Sequence, residues 1–126
     1  SCPYYRLVGM SVLDAGPHGA ALRLSVSPDH AQAYGTAHGG VIAGLLDAAM
    51  GLAIAGAIPA DEGCATVEMK LNFMRPVFPG VLDAHGQVLH MGRRLVVANA
   101  VATDGEGKVV AACQGTFSRF VQEATQ

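Results

Sequence analysis

With 126 residues, 51% of them hydrophobic and 14% charged, the chain has the length of one ordinary domain and enough apolar content to bury a core. A net charge of -2, two Lys and six Arg against ten acids, and few, scattered aromatics exclude a basic nucleic-acid surface. Cys2, Cys64 and Cys113 are odd in number and lack CxxC or His-paired spacing, which argues for reduced cytoplasmic thiols rather than a disulfide framework or a metal site.

The opening Ser1-Cys2-Pro3-Tyr4-Tyr5-Arg6 has no charged segment followed by an apolar run, so no secretory signal is expected. Residues 5–14 and 20–27 read as two strands joined by the turn Ala15-Gly16-Pro17-His18-Gly19. The second alternates cleanly, Leu22, Leu24 and Val26 on one face against Arg23, Ser25 and Ser27 on the other, as a half-buried strand does. A loop from Pro28 runs through Gln32, Tyr34 and Gly35 to Thr36. A long helix then follows from His38 or Gly39 to about Ala57, and Pro59 limits its continuation.

That helix carries the most informative residues. Between Gly39 and Ala60 the only charged side chain is Asp47, set among Val41, Ile42, Leu45, Leu46 and Met50. A lone carboxylate among core residues needs a partner or a chemical task. Gly39 and Gly40 stand at the helix start, where backbone N–H groups lack intrahelical partners and the dipole is positive, a ready site for a developing oxyanion. About 20 apolar residues would also span a bilayer, but this stretch is rich in Ala and Gly. Asp47 would cost roughly 2.5–3.5 kcal/mol near the bilayer centre, so a buried helix of a water-soluble domain is expected.

After Asp61-Glu62-Gly63 the pattern turns to strands over 64–74, 81–91, 95–103 and 108–120, punctuated by Pro79-Gly80, Gly92-Arg93 and Asp104-Gly105-Glu106-Gly107. Short connectors of this kind favour antiparallel meanders. His85 and His90, five residues apart on one strand, are expected on opposite faces and suggest no metal pair. The order β-β-α-β-β-β-β, without linker or repeat, makes residues 1–126 a single α+β domain, an antiparallel sheet wrapped round one long helix. There is no GxSxG elbow, GxxxxGK[ST] loop, HExxH or GxGxxG after a strand, which disfavours serine hydrolases, NTPases, zincins and dinucleotide enzymes.

The run Gly35-Thr36-Ala37-His38-Gly39-Gly40, then Leu46-Asp47 and Ala49-Met50-Gly51, then the segment from Ala65 to Arg75-Pro76 resembles the hotdog-fold acyl-CoA thioesterases of the phenylacetate-pathway and hydroxybenzoyl-CoA type. The later Gly92-Arg93-Arg94 and the strand Val109 to Phe117 extend the resemblance over nearly the whole chain. It implies hydrolysis of an acyl-CoA thioester to a carboxylic acid and CoA. The resemblance gives the carbonyl-polarising N–H to Gly39, with Gly40 beside it among the substrate contacts, and the general base or nucleophile to Asp47. It gives the loop amide to Gln32, where relatives commonly have Asn, and the water-holding hydroxyl to Thr66. His38 is expected to fix the helix start rather than act as a base. The acyl group is expected near Tyr34, Met50, Phe73 and Met74, and the CoA phosphates near Arg75, Arg93, Arg94 and Lys108. CoA belongs to the substrate, so no cofactor and no metal are expected.

Gly39 and Asp47 lie eight residues apart, about 12 Å along one helix axis, whereas reacting groups must converge within about 3 Å. Two helices packed antiparallel across a two-fold axis would place Gly39 of one subunit against Asp47 of the other. A homodimer with two composite sites is therefore expected, in agreement with what the resemblance implies, with dimers pairing further into a dimer of dimers. Two rivals have the same fold: a hotdog dehydratase or hydratase, disfavoured because no second His/acid pair is evident, and a noncatalytic acyl-CoA-binding domain, disfavoured by Asp47.

Overall fold

The computed structural model describes residues 2–123. Residues 5–8, expected to open a strand, are instead helical: α1 spans Pro3–Val8. Pro3 in the first turn has its φ already set and needs no N–H partner there. Gly9 closes the helix in the left-handed region (φ 90°), its N–H donating to the Tyr5 carbonyl at 2.9 Å. Tyr4, Tyr5 and Val8 are residue types that strands favour, so local composition pointed the wrong way and the end signals decided.

The hairpin β1 (Met10–Gly16) and β2 (Gly19–Val26) follows, then a 3-10 turn over Pro28–His30 and the helix α2 (Gly39–Ala55). The remaining strands are β3 (Glu62–Phe73), β4 (Gly80–Met91), β5 (Leu95–Asp104) and β6 (Val109–Val121), all close to the expected bounds. They join the first pair in one six-stranded antiparallel sheet of order β1-β2-β4-β5-β6-β3. The meander expectation holds for β4, β5 and β6. It fails for β3, which pairs with β6 at the far edge, while residues 74–79 carry the chain back to β4 beside β2.

The sheet curls round α2. Leu22, Leu24, Leu82 and Val96 are fully buried on its inner face, against Ile42, Leu45, Leu46 and Ile54 of the helix. A row of small residues on that face lets α2 approach closely. At Gly86 of β4 a Cβ would run into the Ala49 carbonyl oxygen, so only glycine fits. No helix among the described residues is long and apolar enough to cross a membrane.

A bulge corrects the histidine reading. Val88 pairs with Ala98 but His90 with Val97, which leaves Leu89 as the extra residue in β4. His85 pairs with Val101 and His90 with Val97, two residues four apart on β5, so both imidazoles lie on the same outer face and both are exposed.

Candidate active site

The N-terminus of α2 is held by consecutive backbone hydrogen bonds, Ala37 N–H to the Val77 carbonyl and His38 N–H to the His30 carbonyl, each 2.8 Å. His38 is the N-cap, with extended backbone (φ -62°, ψ 137°), and its Nδ1 accepts the Gly40 N–H at 2.8 Å. Gly40 is thereby removed as a free donor for substrate, contrary to expectation. The Gly39 N–H has no partner among the described residues and points from the positive end of the helix. Gly39 lines a cavity of about 370 Å³ together with Gln32, Phe73, Met74 and Arg75. The Phe73 ring packs over Gly39, its Cζ 3.4 Å from the position a Cβ would take.

Gln32 is largely engaged within its own loop. Its carboxamide oxygen accepts from the Tyr34 N–H and its nitrogen donates to Thr36 Oγ1, so the side chain fixes the loop that leads to His38 and keeps one N–H to spare. Tyr34 is 92% exposed and stands apart from the cavity of Gly39, and Met50 is fully buried, packed against the Cys113 sulfur at 3.7 Å. Met50 is therefore part of the core, which corrects that expected acyl contact, whereas Tyr34 lies on the surface outside the Gly39 cavity of its own chain. Met50 reads as a pocket residue in sequence only because it follows Asp47 by three positions; the sheet covers that side of the turn.

Asp47 lies in a second cavity of about 500 Å³, lined with Thr66, Tyr4, Tyr5, Cys64 and Phe117. It is half-buried, and its Oδ1 accepts the Thr66 hydroxyl at 2.6 Å. Thr66 turns toward the helix side of the sheet because it pairs with the buried Phe117. Immediately after it, a bulge at Val67 shifts the register, so Glu68 pairs with Thr116. Bulges of this kind re-aim a side chain next to functional sites. Burial pushes the Tyr5 phenol and the Cys64 thiol above their ordinary values, and the negative charge of Asp47 adds to both shifts. Tyr4, Tyr5, Cys64 and Phe117 were not singled out from the sequence; Pro3 and Gly9 bracketing a six-residue helix were the available signal for the two tyrosines.

The cations fall into two groups. Arg75 shares the cavity of Gly39, whereas Arg93 and Arg94 sit on the turn between β4 and β5 beside a shallow cleft of about 750 Å³. None of these three forms an ion pair among the described residues; Lys108 lies 3.5 Å from Glu106 in an exposed pair. Arg119, which sequence reasoning passed over, is structural. It grips Glu62 through two bonds of 2.8 and 3.0 Å and the Gly92 carbonyl at 2.9 Å, and it holds the Glu62 carboxyl below its ordinary range. No group of three His, Cys, Asp or Glu side chains among the described residues is arranged to hold a metal ion.

A carboxylate with a hydroxyl partner and an unsatisfied N–H at a helix start are the parts that acyl transfer requires. Residues 34–111, more than half of the chain and including both His38-Gly39-Gly40 and Asp47, match the model of the thioesterase superfamily. The chain belongs to the thioesterase superfamily. This thioesterase is 32% identical to a provisionally named esterase of Halobacterium salinarum, a match covering 90% of this chain and 82% of that one. Its fold is similar to that of a conserved protein from Pseudomonas aeruginosa, 35% identical, with 95% of each chain covered and a TM-score of 0.91. It is also similar to a mutant form of the phenylacetic acid degradation protein PaaI of Thermus thermophilus, at 29% identity, 94% and 100% coverage and a TM-score of 0.86. The hotdog fold expected from the sequence is thus the fold of these relatives, and the thioesterase is a hydrolase of thioesters in the general sense of its family.

Proposed function

We propose that this thioesterase hydrolyses acyl-CoA thioesters in the cytoplasm, as a homodimer whose two sites each combine Gly39 of one subunit with Asp47 and Thr66 of the other. The observation that carries the reading is the separation of the two halves. Gly39 and Asp47 are both on α2, about 12 Å apart along its axis, and line different cavities. A two-fold axis that packs one α2 against another antiparallel supplies each half with its complement.

In this mechanism the Gly39 N–H donates to the thioester oxygen and strengthens its bond as the oxygen gains charge. Such a preorganised donor contributes about 2.7–4 kcal/mol to the transition state. Thr66 occupies Oδ1 of Asp47 and leaves Oδ2 to take a proton from the attacking water, a step worth about 10²–10⁴-fold in rate. The tetrahedral intermediate collapses with expulsion of the CoA thiolate. His38 has no place in the proton transfer, because its Nδ1 is committed to the Gly40 N–H. Arg75 in the Gly39 cavity offers a planar cation to the phosphates of CoA, and Arg93 and Arg94, at the other end of the sheet on the turn between β4 and β5, offer two more.

The test is CoA release from phenylacetyl-, hydroxybenzoyl- and hexanoyl-CoA by wild type and Asp47→Asn. A fall of about a hundredfold or more in the variant, with its oligomeric state unchanged, is the expected result. Unchanged turnover in Asp47→Asn would remove Asp47 from the chemistry. Tight CoA-ester binding without wild-type turnover would favour the noncatalytic acyl-CoA-binding domain.

A further inference from the structure

The flank of α2 that carries Asp47 is built to be approached. Gly44 and Gly51 lie one turn to either side of Asp47, and α1 packs across this flank, with Tyr4 Oη 2.9 Å from where a Gly44 Cβ would stand. Tyr5 and Val8 pack partly buried against the core, while none of the α1 residues is fully buried. The far end of α1 is tied down by His30, whose Nε2 donates to the Val8 carbonyl at 2.6 Å while its Nδ1 accepts the Ser27 N–H at 3.0 Å. That pairing fixes the Nε2–H tautomer. The same residue accepts the His38 N–H through its carbonyl, so one histidine anchors both α1 and the cap of α2.

Two cavities meet at α1. One, of about 500 Å³, contains Asp47 and Thr66. The other, of about 570 Å³, lies on the β1 side and is lined by Arg6, Met10 and Val12. Cys2, Tyr5 and Leu52 line both, so a single layer of side chains separates them, and Tyr5 is the largest of the three.

We propose that Tyr5 is the end wall of the acyl pocket and sets the longest acyl chain this thioesterase accepts. The proposal rests on the acyl-CoA reading above. A thioester carbonyl held by the Gly39 N–H of one subunit beside Asp47 of the other sends its two arms apart. The CoA arm requires water and cations, which lie toward Arg75 and the solvent; the acyl arm requires apolar surroundings, which the cavity of Tyr4, Tyr5 and Phe117 provides. An acyl chain running away from Asp47 beneath α1 meets the Tyr5 ring before it reaches the Val12 cleft. Removing the ring joins the two cavities into one channel. Tyr5 lines both cavities, and on this proposal its bulk forms the wall, so Tyr5→Phe keeps it.

The experiment compares hexanoyl- and dodecanoyl-CoA hydrolysis in wild type, Tyr5→Phe, Tyr5→Ala and Tyr5→Ala/Val12→Trp. Wild type and Tyr5→Phe are expected to favour the shorter chain. Tyr5→Ala is expected to raise the dodecanoyl to hexanoyl ratio of kcat/KM by at least about tenfold, and tryptophan at position 12 to reverse that gain by refilling the cleft. Should Tyr5→Ala fail to fold, Tyr5→Leu trims the ring while keeping an apolar anchor and reads the same ratio. A ratio unmoved in both, or a wild type that takes both chains equally, overturns the proposal. Binding of the unreactive thioethers S-hexyl-CoA and S-dodecyl-CoA reads the ratio without turnover. A Tyr5-dependent binding ratio with no hydrolysis would sink the hydrolytic reading alone, and normal hydrolysis with an unmoved ratio would sink the wall alone.

Discussion

His38 performs at α2 the task that serine, threonine or asparagine performs at most helix starts: a side-chain acceptor two residues before a bare N–H. The imidazole is exposed and its Nδ1 is occupied, so its contribution is positional. His38→Asn should keep the cap, with stability within a few tenths of a kcal/mol and turnover within a few-fold of wild type. His38→Ala should lose about 1 kcal/mol in chemical denaturation and also lose activity, because the uncapped first turn no longer holds the Gly39 N–H in place. A general base would behave otherwise, with Asn as damaging as Ala. The candidate site was legible in the sequence as far as His38-Gly39-Gly40 and Asp47, which stand out against an apolar background. Thr66 was legible only through the family resemblance, because nothing in local spacing announces that a strand residue will meet a helix carboxylate nineteen positions earlier. Tyr5 and His30 were illegible for the same reason: their partners are set by how α1 folds back on α2.

Among the elements, α2 and β4 constrain each other most tightly. Gly86 has no room for a methyl group against the Ala49 and Met50 backbone, and that backbone is the turn just after Asp47. Gly86→Ala should therefore destabilise the protein by about 1–3 kcal/mol and also lower turnover, since the displaced turn carries Asp47 away from Thr66; urea melts and steady-state kinetics on one preparation check both. The edge strand β3 has a separate fastening, the Arg119 grip on Glu62. The Glu62 carboxyl is held low by that hydrogen-bonded cation, so its stabilisation is complete above the ordinary glutamate range and is lost as pH falls through the lowered value. Melting temperatures of wild type should exceed those of Glu62→Gln at neutral pH, with the gap closing in acid. Hydrophobic periodicity made β2, α2 and the later strands readable to within a few residues. It could not place β3 at the sheet edge, because strand order depends on which partner closes the core, and it could not register the bulge at Leu89 that brings His85 and His90 to one face.

For the whole molecule, the decisive question is whether one chain can complete a site. Gly39→Pro removes the N–H and puts ring carbons where the thioester oxygen would accept from it, beside Phe73, so it abolishes the oxyanion half of the site. Proline suits the first helical position, and His38 already has the extended conformation that a residue before proline adopts. Asp47→Asn removes the carboxylate and leaves its shape. Each homodimer should be inactive, one lacking every oxyanion donor and the other every base. A heterodimer of the two, isolated by different affinity tags, contains one site with Gly39 and Asp47 both intact and one site with neither. It should recover roughly half of the wild-type turnover per dimer, because one of two symmetric sites is restored. Sites built within single chains would leave the heterodimer as inactive as its parents, since each chain carries one of the two lesions. Recovery would therefore bear on the composite site directly, independently of which acyl group the enzyme prefers.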